Sequence, residues 1–261
     1  MGGLGVLGHV LALGAVVVVG VTVALASVFV ADRVLGESVG PQHNSTLSPF
    51  MTVVGLVFGA LLGFTVVVSW EQFSSAHANV AHEASTLTTM YRQTVAMPEP
   101  ELAQLREQLR KYAKAVEGPD WEVRDGSAGS EDARTAITEM YRLLGNQPNA
   151  SSNPVNGEFL GQLTTLANAR NQRGLDAESR IPWLLWAGLI FGGVVLVGLT
   201  GFMRLDHKLG HVILSSAVAI LLGLLLYIIF WLDHPLGTSL GVTPEPFRQA
   251  LQAFDITDQG K

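Results

Sequence analysis

The sequence predicts an all-α integral membrane protein: four transmembrane helices, with a cytoplasmic helical-bundle insert between the second and third. Three observations carry this expectation. Only 15% of the 261 residues are charged and 48% are hydrophobic, whereas a soluble domain of this size carries about a quarter charged residues. The deficit is concentrated in four windows without Asp, Glu, Lys or Arg: 1–31, 38–70, 181–203 and 209–232. Each holds an apolar stretch of about 20 residues, the length that crosses a hydrocarbon core of about 30 Å. Between the second and third windows, apolar residues recur at helical spacing, with none of the alternation of a strand.

Segment one runs from Val10 to about Ala31 and ends at Asp32-Arg33. Ala24-Leu25-Ala26 resembles a leader-cleavage site. The region before the run has no Lys or Arg, and the run exceeds the usual 7–15 apolar residues, so it reads as a retained span. Segment two is expected over 50–69, with Ser48 as N-cap and Pro49 at the first helical position, where its missing N–H costs nothing. Gly55, Gly59 and Gly63 are four apart, which lets a neighbouring helix approach closely. Trp70 marks the membrane interface. No Pro or Gly follows before Pro98, and Phe73, Val80, Ala84, Leu87 and Tyr91 keep helical spacing. The second helix therefore extends well out of the membrane.

The insert occupies 71–180. Pro98-Glu99-Pro100 opens a helix with Leu102, Leu105, Leu109, Tyr112 and Val116 on one face. Loops over 117–130 and 145–157 bracket a third helix using Ala133, Ile137, Met140 and Leu144. The last insert helix carries Phe159, Leu163, Leu166 and Ala167. Segments three and four (182–203 and 212–232) are joined by about eight residues and form an antiparallel hairpin. Trp183, Trp186, Tyr227 and Trp231 sit near their ends, as interface anchors do. Asp233 is the polar stop before Pro235, and both are read as structural. Thr243-Pro244 then starts a short amphipathic helix with Phe247, Leu251 and Phe254 aligned. The chain thus divides into 1–70, 71–180, 181–233 and a tail, 234–261.

Function classes fall away in turn. A net charge of −6 with no basic stripe gives no reason to expect nucleic acid. The absence of Cys removes thiolate chemistry. Of the histidines, only His207 and His211 are spaced to share a metal, and no carboxylate completes that site. No phosphate loop, dinucleotide fingerprint or hydrolase elbow occurs. The expectation is a non-enzyme with no cofactor and no metal. Asn44-Ser45-Thr46 matches a glycosylation acceptor, a weak signal on its own.

One pattern points to a function. Met51, Gly55, Phe58, Leu62, Thr65, Ser69, Gln72, Ala76, Asn79 and Glu83 follow one another at spacings of three or four, forming one stripe along the second helix. The stripe is apolar, then hydroxylic, then polar and acidic. Arranged around an axis in several copies, Phe58 and Leu62 would form a hydrophobic constriction. Thr65, Ser69, Gln72, Asn79 and Glu83 would then line a wet vestibule, a combination that gates ions and tunes selectivity. The competing reading of the same residues is ordinary packing, since membrane Thr and Ser often bond a neighbouring carbonyl.

Local strings stand out along the chain: His43-Asn44, Gly63-Phe64, Trp70-Glu71-Gln72-Phe73 and His82-Glu83-Ala84. Further on come Pro98-Glu99-Pro100, Leu232-Asp233-His234-Pro235-Leu236-Gly237 and Pro244-Glu245-Pro246-Phe247. As a set they resemble a bacterial bestrophin-like membrane protein family of unknown function. The resemblance covers about 40–255. It implies kinship with bestrophins, pentameric anion channels with four membrane helices, a cytosolic helical region and apolar neck residues on the second helix. Phe58 and Leu62 would then take the neck positions, with Met51 or Gly55 below. This chain is shorter and has no acidic cluster like the calcium clasp of the animal channels, so calcium gating is not implied. The acidic end of the stripe disfavours anions at that mouth.

The expectation is a homo-oligomer in the lipid bilayer of the cell membrane, pentameric by analogy, conducting inorganic ions. The insert and both termini are placed in the cytoplasm, on a nearly even balance of flanking arginines. The alternative is a non-conducting scaffold or sensor whose insert binds a partner. A small transporter is a poorer fit, because no broken helix or buried charge marks a midplane site.

Overall fold

The structure, a computed structural model, describes residues 2–35, 42–118, 121, 131–146, 154–178, 180–205, 207–236 and 241–260, with side chains from residue 7 onward. Most of both expected insert loops, Gly40-Pro41 and Gly237 lie outside these residues. Every regular element among the described residues is helical: α1 (Gly2–Leu35), α2 (His43–Gln93), a 3₁₀ turn (Thr94–Ala96), α3 (Glu101–Glu117), α4 (Glu131–Gly145), α5 (Pro154–Glu178), α6 (Trp183–Phe202), α7 (Lys208–Leu232) and α8 (Glu245–Gln259). Four helical stretches are long and apolar enough to cross a membrane, and the chain is a multi-pass membrane protein.

The chain forms two compact units, Met1–Glu71 with Arg180–Asp233, and Gln72–Ser179 with His234–Lys261. In the first, α1, α6 and α7 pack on one another. Close approach is made by small residues. A Cβ on Gly20 would stand 3.2 Å from the Ile220 backbone nitrogen, and one on Gly201 would stand 2.7 Å from the Ser27 carbonyl carbon. Helices in lipid gain little from excluding water, so contact of this kind is what holds them together. Outward faces are frankly apolar: Phe29, Phe191, Trp183 and Leu209 are all exposed.

The second unit has the inverse design. The second half of α2 contributes Ala76, Val80, Ala84, Leu87 and Tyr91 to a core shared with Leu102, Leu105, Leu109 and Tyr112 of α3, Met140 of α4 and Phe159, Leu163 and Leu166 of α5. The tail helix α8 closes this core with Phe247, Ala250 and Phe254. The Phe254 ring stacks on Tyr91 at 4.0 Å between centroids. Arg106 and Arg110 of α3 pair with Asp258, and Arg110 also with Asp255. The apolar stripes expected on α3, α4, α5 and α8 all turn inward.

One boundary differs. Segment two was expected to start at Ser48-Pro49, whereas α2 starts at His43 and contains Pro49 in its interior. The added turn is fixed by polar anchors beyond the reach of local reading. The His43 ring lies 2.9 Å from the Phe202 carbonyl, and the Asn44 side chain bonds both the N–H and the carbonyl of Arg204. Ser48 caps nothing; its carbonyl accepts from the Thr52 hydroxyl.

Candidate functional site

Within the first unit, the stripe along α2 from Met51 to Ser69 lies on the inward face. Phe58, Leu62, Thr65 and Ser69 are buried, while Met51, Gly55 and Gln72 are half-buried. Phe58 and Leu62 belong to a cluster with Ile181, Leu189 and Ile229. The Phe58 ring lies on Gly192, where an added Cβ would come within 2.8 Å of Cε2. Phe58 is therefore a knob seated in a notch of α6. A side chain facing a shared axis must leave its own protomer, and at 5% and 7% exposure Phe58 and Leu62 do not. The hydroxyls follow the same logic. Thr65 donates to the Leu61 carbonyl and Ser69 to the Thr65 carbonyl, both at 2.8 Å, which satisfies them within the helix.

The polar end of the stripe is also sealed. Glu83 is fully buried in the second unit. Arg173 Nε donates to its Oε2 at 2.9 Å, and the Tyr112 hydroxyl donates to its Oε1 at 2.5 Å. Burial first, then the Glu83 charge, holds the Tyr112 hydroxyl well above its usual pKa, so it remains a donor. Asn79 donates to Asp176 at 2.7 Å. These are bundle contacts rather than a vestibule wall. Of the three glycines, a Cβ added at Gly55 would stand 3.9 Å from Leu196, while one at Gly59 or Gly63 would meet nothing within 4 Å.

The opposite flank of α2 was not singled out from sequence. Val53, Leu56, Ala60, Phe64, Val67, Glu71, Ser74, Ala78, His82 and Ser85 also follow at spacings of three or four, and every one is exposed. Leu56 and Phe64 are each 74% exposed with the small Ala60 between them. This face is apolar up to Val67, then carries Glu71, Ser74 and Ala78 before His82, with Ser85 beyond. Its only sequence signal was the helical period, which the inward stripe shares.

At the end of the first unit, Asp233 is buried. Its Oδ1 accepts from the Ile181 N–H at 2.7 Å and its Oδ2 from the Trp186 indole at 3.3 Å. A carboxylate at the start of α6 satisfies an unpaired donor and opposes the positive end of the helix dipole. Pro235, also buried, follows at once. Trp70 stays exposed on α2. At the other end of α6, Arg204 pairs with Asp32 at the close of α1. His211 is buried, with Nε2 set 2.9 Å from the Thr200 carbonyl. No cluster among the described residues is arranged to hold a metal.

A family model described as a bestrophin-like domain matches residues 13–247. Among solved structures, the chain is similar to a bacterial bestrophin homolog from Klebsiella pneumoniae phased on zinc. That match has 15% identity and a TM-score of 0.73, covering 93% of this chain and 97% of that one. A point mutant of the same homolog gives 14% identity and a TM-score of 0.74, covering 94% and 98%. At this identity the likeness establishes the fold. A search of the curated proteins finds no match.

Proposed function

Because this chain belongs to the bestrophin-like family, we propose that it is an ion channel assembled from several copies, its path lined by the exposed flank of α2. The carrying observation is the division of that helix into two flanks. Within the first unit, one is fixed to its own protomer by Phe58, Leu62, Thr65 and Ser69, and the other is exposed from Val53 to Glu71. Copies set around an axis with this second flank inward place Leu56, Ala60 and Phe64 at a hydrophobic constriction, followed by Glu71 at the end of the first unit. Apolar constrictions gate by dewetting and rings of polar side chains tune the passing ion. Lining thus moves from Phe58 and Leu62, which anchor the helix, to the opposite side. Gly59 and Gly63, open in one copy, are available to a neighbouring helix.

The proposed layout is four passes (α1, the first half of α2, α6 and α7), with the second unit and both termini in the cytoplasm. The transported species is a small inorganic ion. The test is reconstitution of the full chain in planar bilayers, alongside native mass spectrometry in detergent. An oligomer that conducts is expected, with Leu56→Ala and Phe64→Ala raising leak and Phe58→Ala acting on stability instead. A monomer, or silence under every voltage and ion gradient, overturns the channel and leaves the scaffold role. Currents that respond to Phe58→Ala but ignore Leu56→Ala and Phe64→Ala overturn the choice of flank.

A further inference from the structure

The first unit contains a half-open groove of about 440 Å³ between α1, α6 and α7. Two close contacts lie along it. Gly20 meets the backbone at Ala219–Ile220, and Gly223 receives Val16. Along α6 the groove runs from Trp186 to Val197, eleven residues at 1.5 Å each, or about 16 Å. Its walls are almost wholly apolar, with Val19 of α1, Val194 of α6 and Leu226 of α7 among them.

The few polar atoms at its aromatic end are already engaged. The Tyr227 hydroxyl lies 2.6 Å from His9 Nδ1, and the Trp186 indole donates to Asp233. Water needs two to four polar partners to settle in a cavity, and this groove offers none that are free. Leaving it empty forfeits the dispersion contacts of its lining. The apolar neighbour present at every membrane-spanning helix is a lipid tail. The dimensions agree, since one leaflet contributes about half of a 30 Å core, or about 15 Å, and the groove is about 16 Å long. Trp186, Tyr227 and Phe230 gather at one end, as aromatic residues do at headgroup level.

We infer that this groove is a binding site for one acyl chain of a membrane phospholipid, held as part of the protein and inserted alongside Val19 and Val194 with its headgroup beyond Tyr227. The site is independent of conduction and is read without any current.

The test is native mass spectrometry of the full chain after extensive exchange into mild detergent, counting retained phospholipid. The wild type is expected to keep one per chain. Val19→Trp and Val194→Trp, on two different helices, fill the groove and lower retention about tenfold. Val18→Trp makes the same change at an exposed position of α1 outside the lining and leaves retention unchanged. Helicity and melting temperature are measured for each variant, and two filling positions guard against one that fails to fold. Equal retention in all variants, or none in the wild type, overturns the site. So does capture of a free fatty acid in place of a phospholipid, or cross-linking of Val19→Cys to a second copy.

Discussion

The two units treat the same kinds of side chain in opposite ways. Phe159, Phe247 and Phe254 of the second unit are fully buried, whereas Phe29, Phe64 and Phe191 of the first are mostly exposed. A full ion pair, Glu83 with Arg173, lies inside the second unit. In the first, the bonded charges lie near helix ends: Asp233 at the start of α6 and Asp32 with Arg204 near the ends of α1 and α6. The solvent accounts for the difference. Water drives apolar surface inward, while lipid gives no such drive and leaves close backbone contact and satisfied polar groups to hold helices together. A phenylalanine therefore does different work in each unit, and α2 contributes residues to both.

The largest effect is expected at the buried pair. Glu83→Ala strips Arg173 and Tyr112 of their shared acceptor, and breaking such a pair costs about 3–5 kcal/mol. Thermal unfolding of the full chain in detergent is expected to show early loss of the second unit. If melting is unchanged, the pair is not the polar centre of that unit.

A sharper contrast comes from matched truncations. Phe159→Ala removes a fully buried ring from the second unit, at about 3–5 kcal/mol. Phe58→Ala removes a similarly buried ring from the Gly192 notch, and is expected to cost less, because lipid solvates what the notch releases. Denaturation in one detergent series compares them directly, and equal losses would break the two-solvent account. Gly192→Val tests the notch from the other side by driving Phe58 off its seat, at about 1–3 kcal/mol.

Asp233→Ala leaves the Ile181 N–H and the Trp186 indole without their acceptor, a loss of about 1–3 kcal/mol. Intrinsic fluorescence of Trp186, with the other tryptophans replaced by Phe, is expected to report the change. No shift in emission would show that the indole bond is dispensable.

The smallest effect is pH dependence of tail docking. Burial pushes the Asp258 carboxyl up, but bonds from Tyr91 and Arg110 and the charges of Arg106 and Arg110 outweigh it and hold the group below its ordinary value. A carboxylate with a lowered folded pKa contributes stability above its unfolded value of about 3.9. That contribution fades as pH falls through the folded value. Hydrogen exchange of α8 is expected to quicken below about pH 4, and Asp258→Asn should abolish that dependence.

The sequence by itself determined what depends on short stretches. Twenty consecutive uncharged residues fix a span because the cost of a charge in lipid is paid locally. The stripe Leu102-Leu105-Leu109-Tyr112 fixes the buried face of α3 because water distinguishes apolar from polar on a helix surface. The break at Pro98–Pro100 and the stop at Asp233-Pro235 were legible for the same reason. Tertiary structure alone decided which flank of α2 faces in. Leu56 and Phe64 are as apolar as Phe58 and Leu62, and lipid and protein neighbours are equally apolar, so hydropathy carries no sign there. The Gly192 notch, more than a hundred residues further along the chain, makes that choice. Long-range partners such as Arg173 for Glu83, Ile181 for Asp233 and Arg204 for Asn44 were likewise unreadable, because a polar side chain's need for a partner does not say where along the chain that partner lies.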